Sequence, residues 1–484
     1  MDNHKHPRVA VLGGGISGLA ASYFLSRLEP RPEIRLFEKG NRLGGVLETL
    51  YDGAYVIERS ADNFATLIPD ALELAKEIGF ESNLIRPNKS GRQAFLYLNN
   101  RIEPIPMGFS LMQPTRLWPI ATTNTLSITA KIRLLKELWV PARQSSDDES
   151  LESFVTRRLG VEVFDNLVEP IVSGIFTADP RKLSMQATMP QFVEMERQYG
   201  GLIRGHLHSR KKDAAAAAKR ASGARYDQFM APQHGMSSWV EALKDQLPAE
   251  TVCLETSVQS VRRIPEPSTS SAASKWRLET NQGDQDFDAI ISALPCAASA
   301  RVLHGLFPDA SEALSQISYA SSAVIAMIVD RQSISGRTDG FGIIVPRKSG
   351  LKTLAISFSS NKYPGRVPEG QLLLRIFLGG AMHPEMMDHS DSDLIHLAHA
   401  EMRQIIGWSG EKPLWQAVIR WNNAMPQYEV GHLQRVTQIE ESLAGTPTLA
   451  LCGAGLHGVG IPQCVSSAKR AVSQIAKALS ISQA

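Results

Sequence analysis

Arg8-Val-Ala-Val-Leu12 runs without interruption into Gly13-Gly-Gly-Ile-Ser-Gly18, and the reading of this stretch decides the fold. A short apolar run closed by glycines fits a buried strand and is too short for a helix. Beyond it, Leu19, Ala20, Tyr23, Phe24 and Leu28 recur near the spacings that lay one apolar face of a helix on a sheet, until Pro30 and Pro32 break the pattern. Glu33-Ile-Arg-Leu-Phe37 supplies a second strand, ending at Glu38. Strand, glycine turn, helix and strand form a βαβ unit, the opening of a parallel doubly wound sheet.

The glycines have separate physical tasks. Gly13 suits a tight turn, Gly15 lets backbone approach a pyrophosphate, and Gly18 lets helix and strand pack closely. Together with Gly14, Ile16 and Ser17 they form a helix N-terminus, where free N–H groups and the positive end of the dipole favour phosphate. Glu38 stands 20 positions beyond Gly18, where a carboxylate accepts hydrogen bonds from an adenosine ribose and disfavours a 2′-phosphate. The expectation is a dinucleotide cofactor other than NADP.

The chain has 484 residues, 43% of them hydrophobic, enough for about three domains at ~150 residues each. With 51 Lys and Arg against 49 Asp and Glu, its formal charge of +2 supplies no overall field for a polyanion, so no nucleic-acid partner is expected. One local excess exists: residues 204–225 hold seven basic residues and one acidic residue. Its two readings are a solvated helix and a surface attractive to an anionic ligand or membrane. Cys253, Cys296, Cys452 and Cys464 form no CxxC pair, which suits a reducing compartment. No apolar run reaches the length of a membrane span and residues 1–7 do not resemble a signal peptide, so a cytoplasmic location is expected, with peripheral contact at the inner membrane left open. His206 with His208, and His396 with His399, read as scattered histidines, and no metal site is expected.

Helical patterns fill residues 129–140, 151–159 and 161–172. Strand patterns follow at 252–261, 276–280, 287–293, 323–329, 340–345, 354–358 and 372–378. The last strand, Thr448-Leu-Ala-Leu-Cys452, enters a second glycine turn, Gly453-Ala-Gly-Leu-His-Gly-Val-Gly-Ile-Pro462, with a helix beginning near its proline.

Glu38-Lys39-x-x-Arg42-x-Gly44-Gly45 resembles the segment after the second strand in flavoproteins of the amine-oxidase superfamily, where it wraps an FAD diphosphate. The matches extend along nearly the whole chain: Glu58-Arg-Ser-Ala-Asp-Asn-Phe64, Glu169-Pro-Ile-Val-Ser-Gly174, Leu183-Ser-Met185, Arg420-Trp421, Pro426-Gln-Tyr428, Gly431-His432 and Gly458-Val-Gly-Ile-Pro462. In this combination the sequence resembles the FAD-dependent protoporphyrinogen and coproporphyrinogen oxidases of haem biosynthesis.

That resemblance implies an α/β fold: a discontinuous Rossmann-like FAD domain (1–65, 231–300 and 441–484), an inserted mixed-sheet substrate domain (66–104 and 301–440) and a helical domain (105–230). It implies FAD held by the two glycine turns, Ser60, Ala61, Asp62, Asn63, the backbone of Val258, and Trp421. The N–H groups of Val459, Gly460 and Ile461 are expected to face the flavin. Gly174 is expected against the macrocycle, Phe358 stacked on a pyrrole ring, and Ile343 or Ile344 on the opposite face. Ser60-Ala61 replaces the family's usual Gly-Pro. The arginine that pairs a substrate propionate in some relatives has no counterpart, its place falling at Leu98 between Arg92 and Arg101. The implied reaction removes six electrons from a porphyrinogen in three flavin turnovers, with O2 as acceptor and no catalytic side chain. Coproporphyrinogen III is favoured over protoporphyrinogen IX, and hand-over of the product to the next enzyme of the haem pathway is a further expected contact. Amine oxidases, carotenoid desaturases and non-catalytic escort proteins on the same fold are the alternatives.

Overall fold

The computed structural model describes residues 6–106, 109–110, 113–114, 117–212, 228–264 and 275–483. Its first layer is a five-stranded parallel sheet ordered Val252–Cys253, Glu33–Phe37, Arg8–Leu12, Ala289–Ser292, Leu449–Leu451. Strands far apart in sequence therefore lie side by side, with the opening strand in the centre. Alternation decides which face each side chain joins. Val9, Val11, Ile34, Leu36, Ile291 and Ala450 pack on the helices Ile16–Leu25 and Ile461–Ala478. Ala10, Leu12, Phe37, Ile290 and Leu449 pack on a three-stranded meander (Val258–Ile264, Lys275–Thr280, Gln285–Phe287) and the helices Cys296–Leu303 and Pro308–Ser315. Each fully buried Leu, Ile or Val contributes about 1.5–3 kcal/mol, so both faces are strongly specified.

The second layer is a seven-stranded mixed sheet ordered Trp415–Pro426, Tyr319–Asp330, Gln371–Gly379, Thr353–Phe358, Gly342–Ile344, Ala94–Leu98, Arg101–Pro104. All its neighbours are antiparallel except Gly342–Ile344 with Ala94–Leu98, which run parallel. Helix Asp391–Ile406 covers one face through Leu394, Ala398, Met402 and Ile405. Between residues 117 and 212 a helical cluster packs around Phe154, Phe164, Leu167 and Val172 and touches this sheet at Leu96, Leu98 and Ile344.

Several local expectations are corrected. The first helix buries all ten of its residues, because the sheet, the last helix and helix Met236–Lys244 surround it; Leu28 lies beyond it, in a short strand. The single strand expected at 252–261 is two, in different sheets. Glu255 takes a positive φ between them while Glu255 and Thr256 donate N–H bonds to the carbonyls of Gly40 and Glu38. The strand expected at 287–293 likewise divides at Asp288, whose carboxylate accepts the Arg8 N–H at 2.7 Å. The helix expected to stop at Val172 continues to Phe176. A widened π turn, Phe164–Val168, precedes Pro170, which then sits in the first turn of Glu169–Phe176, where its missing N–H is tolerated. Of the basic run, Leu202–Lys212 is helical and residues 213–227 lie outside the described residues.

Candidate cofactor and substrate site

The first glycine turn is built by close approach. Gly13 takes φ +102°, and a methyl group on Gly18 would fall inside the carbonyl oxygen of Gly13, so the helix seats on the strand through bare backbone. Gly15 differs: a methyl group there would meet nothing within 4 Å. It is also the N-cap of Ile16–Leu25 and offers no side-chain acceptor to the first turn. An open space at an uncapped helix N-terminus fits a diphosphate. Glu38 is held over this turn, its two carboxylate oxygens accepting from the N–H groups of Gly14 (2.8 Å) and Gly40 (2.7 Å).

Gly44 and Gly45 lie beside Gly15, Gly44 N–H donating to the Gly14 carbonyl at 2.8 Å. Arg42 directs its donors onto its own loop, bonding the carbonyls of Leu43 and Gly45 and pairing with Glu48 at 2.9 Å. Arg42 therefore shapes the glycine loop from behind. Lys39 is exposed, and Val258 opens the meander half-buried, just past the backbone bonds that fasten Glu255 to Gly40 and Thr256 to Glu38.

The second glycine turn shares a wall with the first. Ser17 bonds the Cys464 thiol, and a methyl group on Gly453 would stand 3.9 Å from Ser17 Oγ. Burial pushes the Cys464 thiol up to about 11, so it stays protonated. Among the described residues nothing accepts from the N–H groups of Val459, Gly460 or Ile461, and Gly460 caps the last helix without a side-chain bond. The turn is braced from outside by residues the sequence reading left without a role. Tyr428 Oη donates to the Ala454 carbonyl and accepts the Gly458 N–H, both at 2.7 Å. Its ring stacks on His432, 3.8 Å between centroids, and His432 Nε2 donates to the Leu456 carbonyl.

Residues 58–63 cross between the two layers over buried charge. Glu58 accepts from Thr49 Oγ1 (2.8 Å) and the Met236 N–H (3.0 Å) and faces Arg366 at 3.6 Å. Burial raises its carboxyl above the usual range although Arg366 opposes the shift. Arg375 donates to the Ser60 carbonyl and faces Asp62 at 3.4 Å, and Lys362 faces Asp62 at 3.3 Å. Burial works against the Asp62 carboxylate, but Lys362 and Arg375 hold its pKa below the ordinary value. Asn63 donates to Asp62, Ser60 Oγ to the Val46 carbonyl, and Ala61 packs on the neighbouring apolar core. Trp421 fastens the same loop, its Nε1 donating to the Arg59 carbonyl at 2.7 Å. Arg375 sat in plain view as the lone charge in Gln-Leu-Leu-Leu-Arg-Ile-Phe-Leu-Gly, a mark of a buried partner.

The residues expected to meet substrate divide between two faces of the mixed sheet. Gly174 is exposed, and a methyl group on it would face the Ala355 side chain at 3.9 Å; Ala355 pairs with Ile344, which is half-buried. Ile344 and Val459 both pack against the helical cluster. Ile343 and Phe358 are corrected: both are fully buried on the opposite face, under helix Asp391–Ile406. Period-2 alternation puts Ile343, Ile356 and Phe358 together and leaves Ile344 and Ala355 towards Gly174. Leu98 is buried in the sheet, 4% exposed, and makes no opening for an acid group.

The family model for flavin containing amine oxidoreductases matches residues 16–476. Coproporphyrinogen III oxidase of Bacillus subtilis (strain 168) is 33% identical over 478 residues, 98% of either chain. The chloroplastic protoporphyrinogen oxidase of Nicotiana tabacum is 27% identical, covering 97% of this chain and 85% of its own. Among solved structures, a provisionally named protoporphyrinogen oxidase from Exiguobacterium sp. 255-15 superposes with a TM-score of 0.83 at 30% identity, covering 98% of this chain and 99% of that one.

Proposed function

Because the chain belongs to the flavin containing amine oxidoreductase family, we propose that it is an FAD-dependent coproporphyrinogen III oxidase of haem biosynthesis. The observation that carries this reading is similarity along the entire length to a coproporphyrinogen III oxidase. Overall, coproporphyrinogen III and three O2 give coproporphyrin III and three H2O2. Bound FAD supplies hydride acceptance, and two electrons leave the substrate per turnover. The chain's residues hold and orient. Gly15 and the uncapped first helix receive the diphosphate, and Glu38 accepts from the ribose. The N–H groups of Val459, Gly460 and Ile461 stabilise negative charge beside them. Gly174, Ala355 and Ile344 form an apolar slot for the macrocycle that excludes water.

The test is anaerobic bleaching of the purified yellow protein. Coproporphyrinogen III should reduce it faster than protoporphyrinogen IX. A tenfold preference for the latter would reassign the substrate, bleaching by amines alone the reaction, and failure to take up FAD would favour an escort role.

No helix among the described residues is long and apolar enough to cross a membrane. Peripheral contact is a separate part of the proposal. Ile128, Ile132, Leu135 and Trp139 are exposed at helical spacing along Ile128–Leu135 and the following turn, with Lys131 and Lys136 among them. An exposed apolar stripe with basic flanks suits an anionic bilayer surface. Co-sedimentation with anionic vesicles should be lost in Trp139→Glu, and equal sedimentation of the two proteins would refute the contact.

A further inference from the structure

A cavity of about 360 Å³ lies between the helical cluster and the mixed sheet, lined by Asp165, Glu169, Arg181, Arg347 and Lys348. Two elements of the substrate slot continue into it. Glu169 opens the helix that carries Gly174, five residues on, roughly 7 Å along the axis. Arg347 begins the turn Arg347–Ser349, three residues past Ile344. The elements meet where the Arg347 N–H donates to Glu169 Oε2 at 3.4 Å. The helix thus faces the sheet at two points, Gly174 over Ala355 and Glu169 at Arg347.

The pocket's charges are poorly matched internally. Arg181 is directed outward to Glu152 at 3.3 Å and Asp179 at 3.9 Å. Lys348 Nζ bonds the Asn166 side-chain oxygen, a neutral partner. No carboxylate forms a salt bridge with Arg347 or Lys348 among the described residues, and both side chains are exposed. With Arg181 so engaged, Arg347 and Lys348 are left to face Asp165 and Glu169. Burial pushes the Glu169 carboxyl up to about 7, against the nearby Arg347 N–H and Arg181, which reduces its negative charge at neutral pH.

We propose that this cavity is a carboxylate subsite at the end of the substrate slot, in which Arg347 and Lys348 seat an acid side chain of the tetrapyrrole. The inference rests on the porphyrinogen reading and deepens it. It assigns to this corner of the slot the anion recognition that Leu98 cannot supply. Guanidinium and ammonium groups at a slot mouth take a carboxylate through charge-assisted hydrogen bonds.

The test measures binding apart from turnover. Coproporphyrin III, whose fluorescence reports binding, is titrated into the FAD-loaded wild type, Arg347→Met, Lys348→Met and Arg347→Lys. The Met variants should bind about tenfold more weakly and raise KM for coproporphyrinogen III by a similar factor. Arg347→Lys should recover part of the loss. Coproporphyrin III tetramethyl ester in dilute detergent should bind wild type and variants alike, and the flavin absorbance spectrum should not change. Unchanged coproporphyrin binding in both Met variants overturns the subsite, whether or not the wild type oxidises porphyrinogen. Weakened binding in a protein that oxidises no porphyrinogen supports the subsite and overturns the oxidase reading.

Discussion

Two buried charge clusters, one in the helical region and one beneath residues 58–63, differ in whether they complete their own bonds. In the helical region Arg158 and Glu137 are wholly buried and fully engaged. Arg158 reaches Glu137, Glu196, and the carbonyls of Val140 and Gly200, while Glu137 also accepts from the Leu202 and Ile203 N–H groups. Beneath residues 58–63 the charges stand further apart, 3.3–3.6 Å, and Arg366 Nη1 and Arg375 Nε are buried without a hydrogen-bond partner among the described residues. A closed network holds a fold by itself. An open one stores unmet bonding capacity next to a site, and that is where a ligand or a small displacement has its largest influence.

The sharpest break in the comparison comes from the closed side. Arg158→Met leaves Glu137 charged and buried with its strongest partner gone, so unfolding in urea should lose about 3–5 kcal/mol. Retention of FAD by the molecules that remain folded should be unchanged, because this network touches neither glycine turn. A loss below 1 kcal/mol would mean the network is dispensable.

Glu169 belongs to the open kind, and its burial ties stability to pH. Its folded pKa of about 7 lies above the ordinary carboxyl value of 4.5, so between these values the native protein binds more protons than the unfolded chain. Its stabilising contribution is complete below pH 4.5 and is lost as pH rises through 7, a total of about 3 kcal/mol. Asp165 increases the shift, while Arg181 and Arg347 oppose it. Glu169→Gln should remove this slope and be the more stable protein at pH 8, as read from urea midpoints at pH 5 and pH 8. Parallel pH profiles for the two proteins would contradict it.

A smaller effect is expected from Arg375→Met. Asp62 keeps Lys362, but the Ser60 carbonyl loses its donor and the loop its tie to the mixed sheet. FAD should dissociate about tenfold more readily, ~1.4 kcal/mol, as measured by flavin fluorescence released on dilution. The two clusters would cease to be distinguishable if Arg375→Met cost as much global stability as Arg158→Met.

What the sequence made legible follows the same division. The parallel sheet could be read because its central and last strands, Arg8–Leu12 and Leu449–Leu451, are short apolar runs leading into glycines, and the mixed sheet because Tyr319–Asp330 and Gln371–Gly379 are long and apolar. Backbone cradles leave a glycine signature; side-chain clusters assembled from distant segments do not. Glu58, Asp62, Arg366 and Arg375 meet across some 300 residues, and nothing near any one of them names its partner. The error at Ile343 and Phe358 is of another kind. Both positions were in the right strands, and Thr353-Leu-Ala-Ile-Ser-Phe358 alternates small or polar with large apolar side chains, but with both faces of the sheet covered the alternation does not say which cover lies on which face. The pairing of Ile344 with Ala355, opposite Gly174, decides it.

The first glycine turn carries the comparison down to single methyl groups. At Gly18 a methyl would collide with the Gly13 carbonyl, so that glycine is needed for packing whether or not anything is bound. Gly15 has φ −70° and ψ 178°, ordinary extended backbone, and nothing within 4 Å of an added methyl. Alanine fits the folded backbone there and reduces the freedom of the unfolded chain, but it is a poorer N-cap than glycine, so the two effects oppose each other and Gly15→Ala should leave stability within ~1 kcal/mol of wild type. The same methyl projects into the space assigned to the diphosphate, so FAD affinity should fall while the apo-protein melts close to the wild-type temperature. Paired melts with and without FAD separate the two effects: the FAD-induced increase in Tm should shrink in Gly15→Ala even as the apo value holds. An undiminished increase would place the cofactor away from Gly15 and turn the open space at this helix N-terminus into a packing gap.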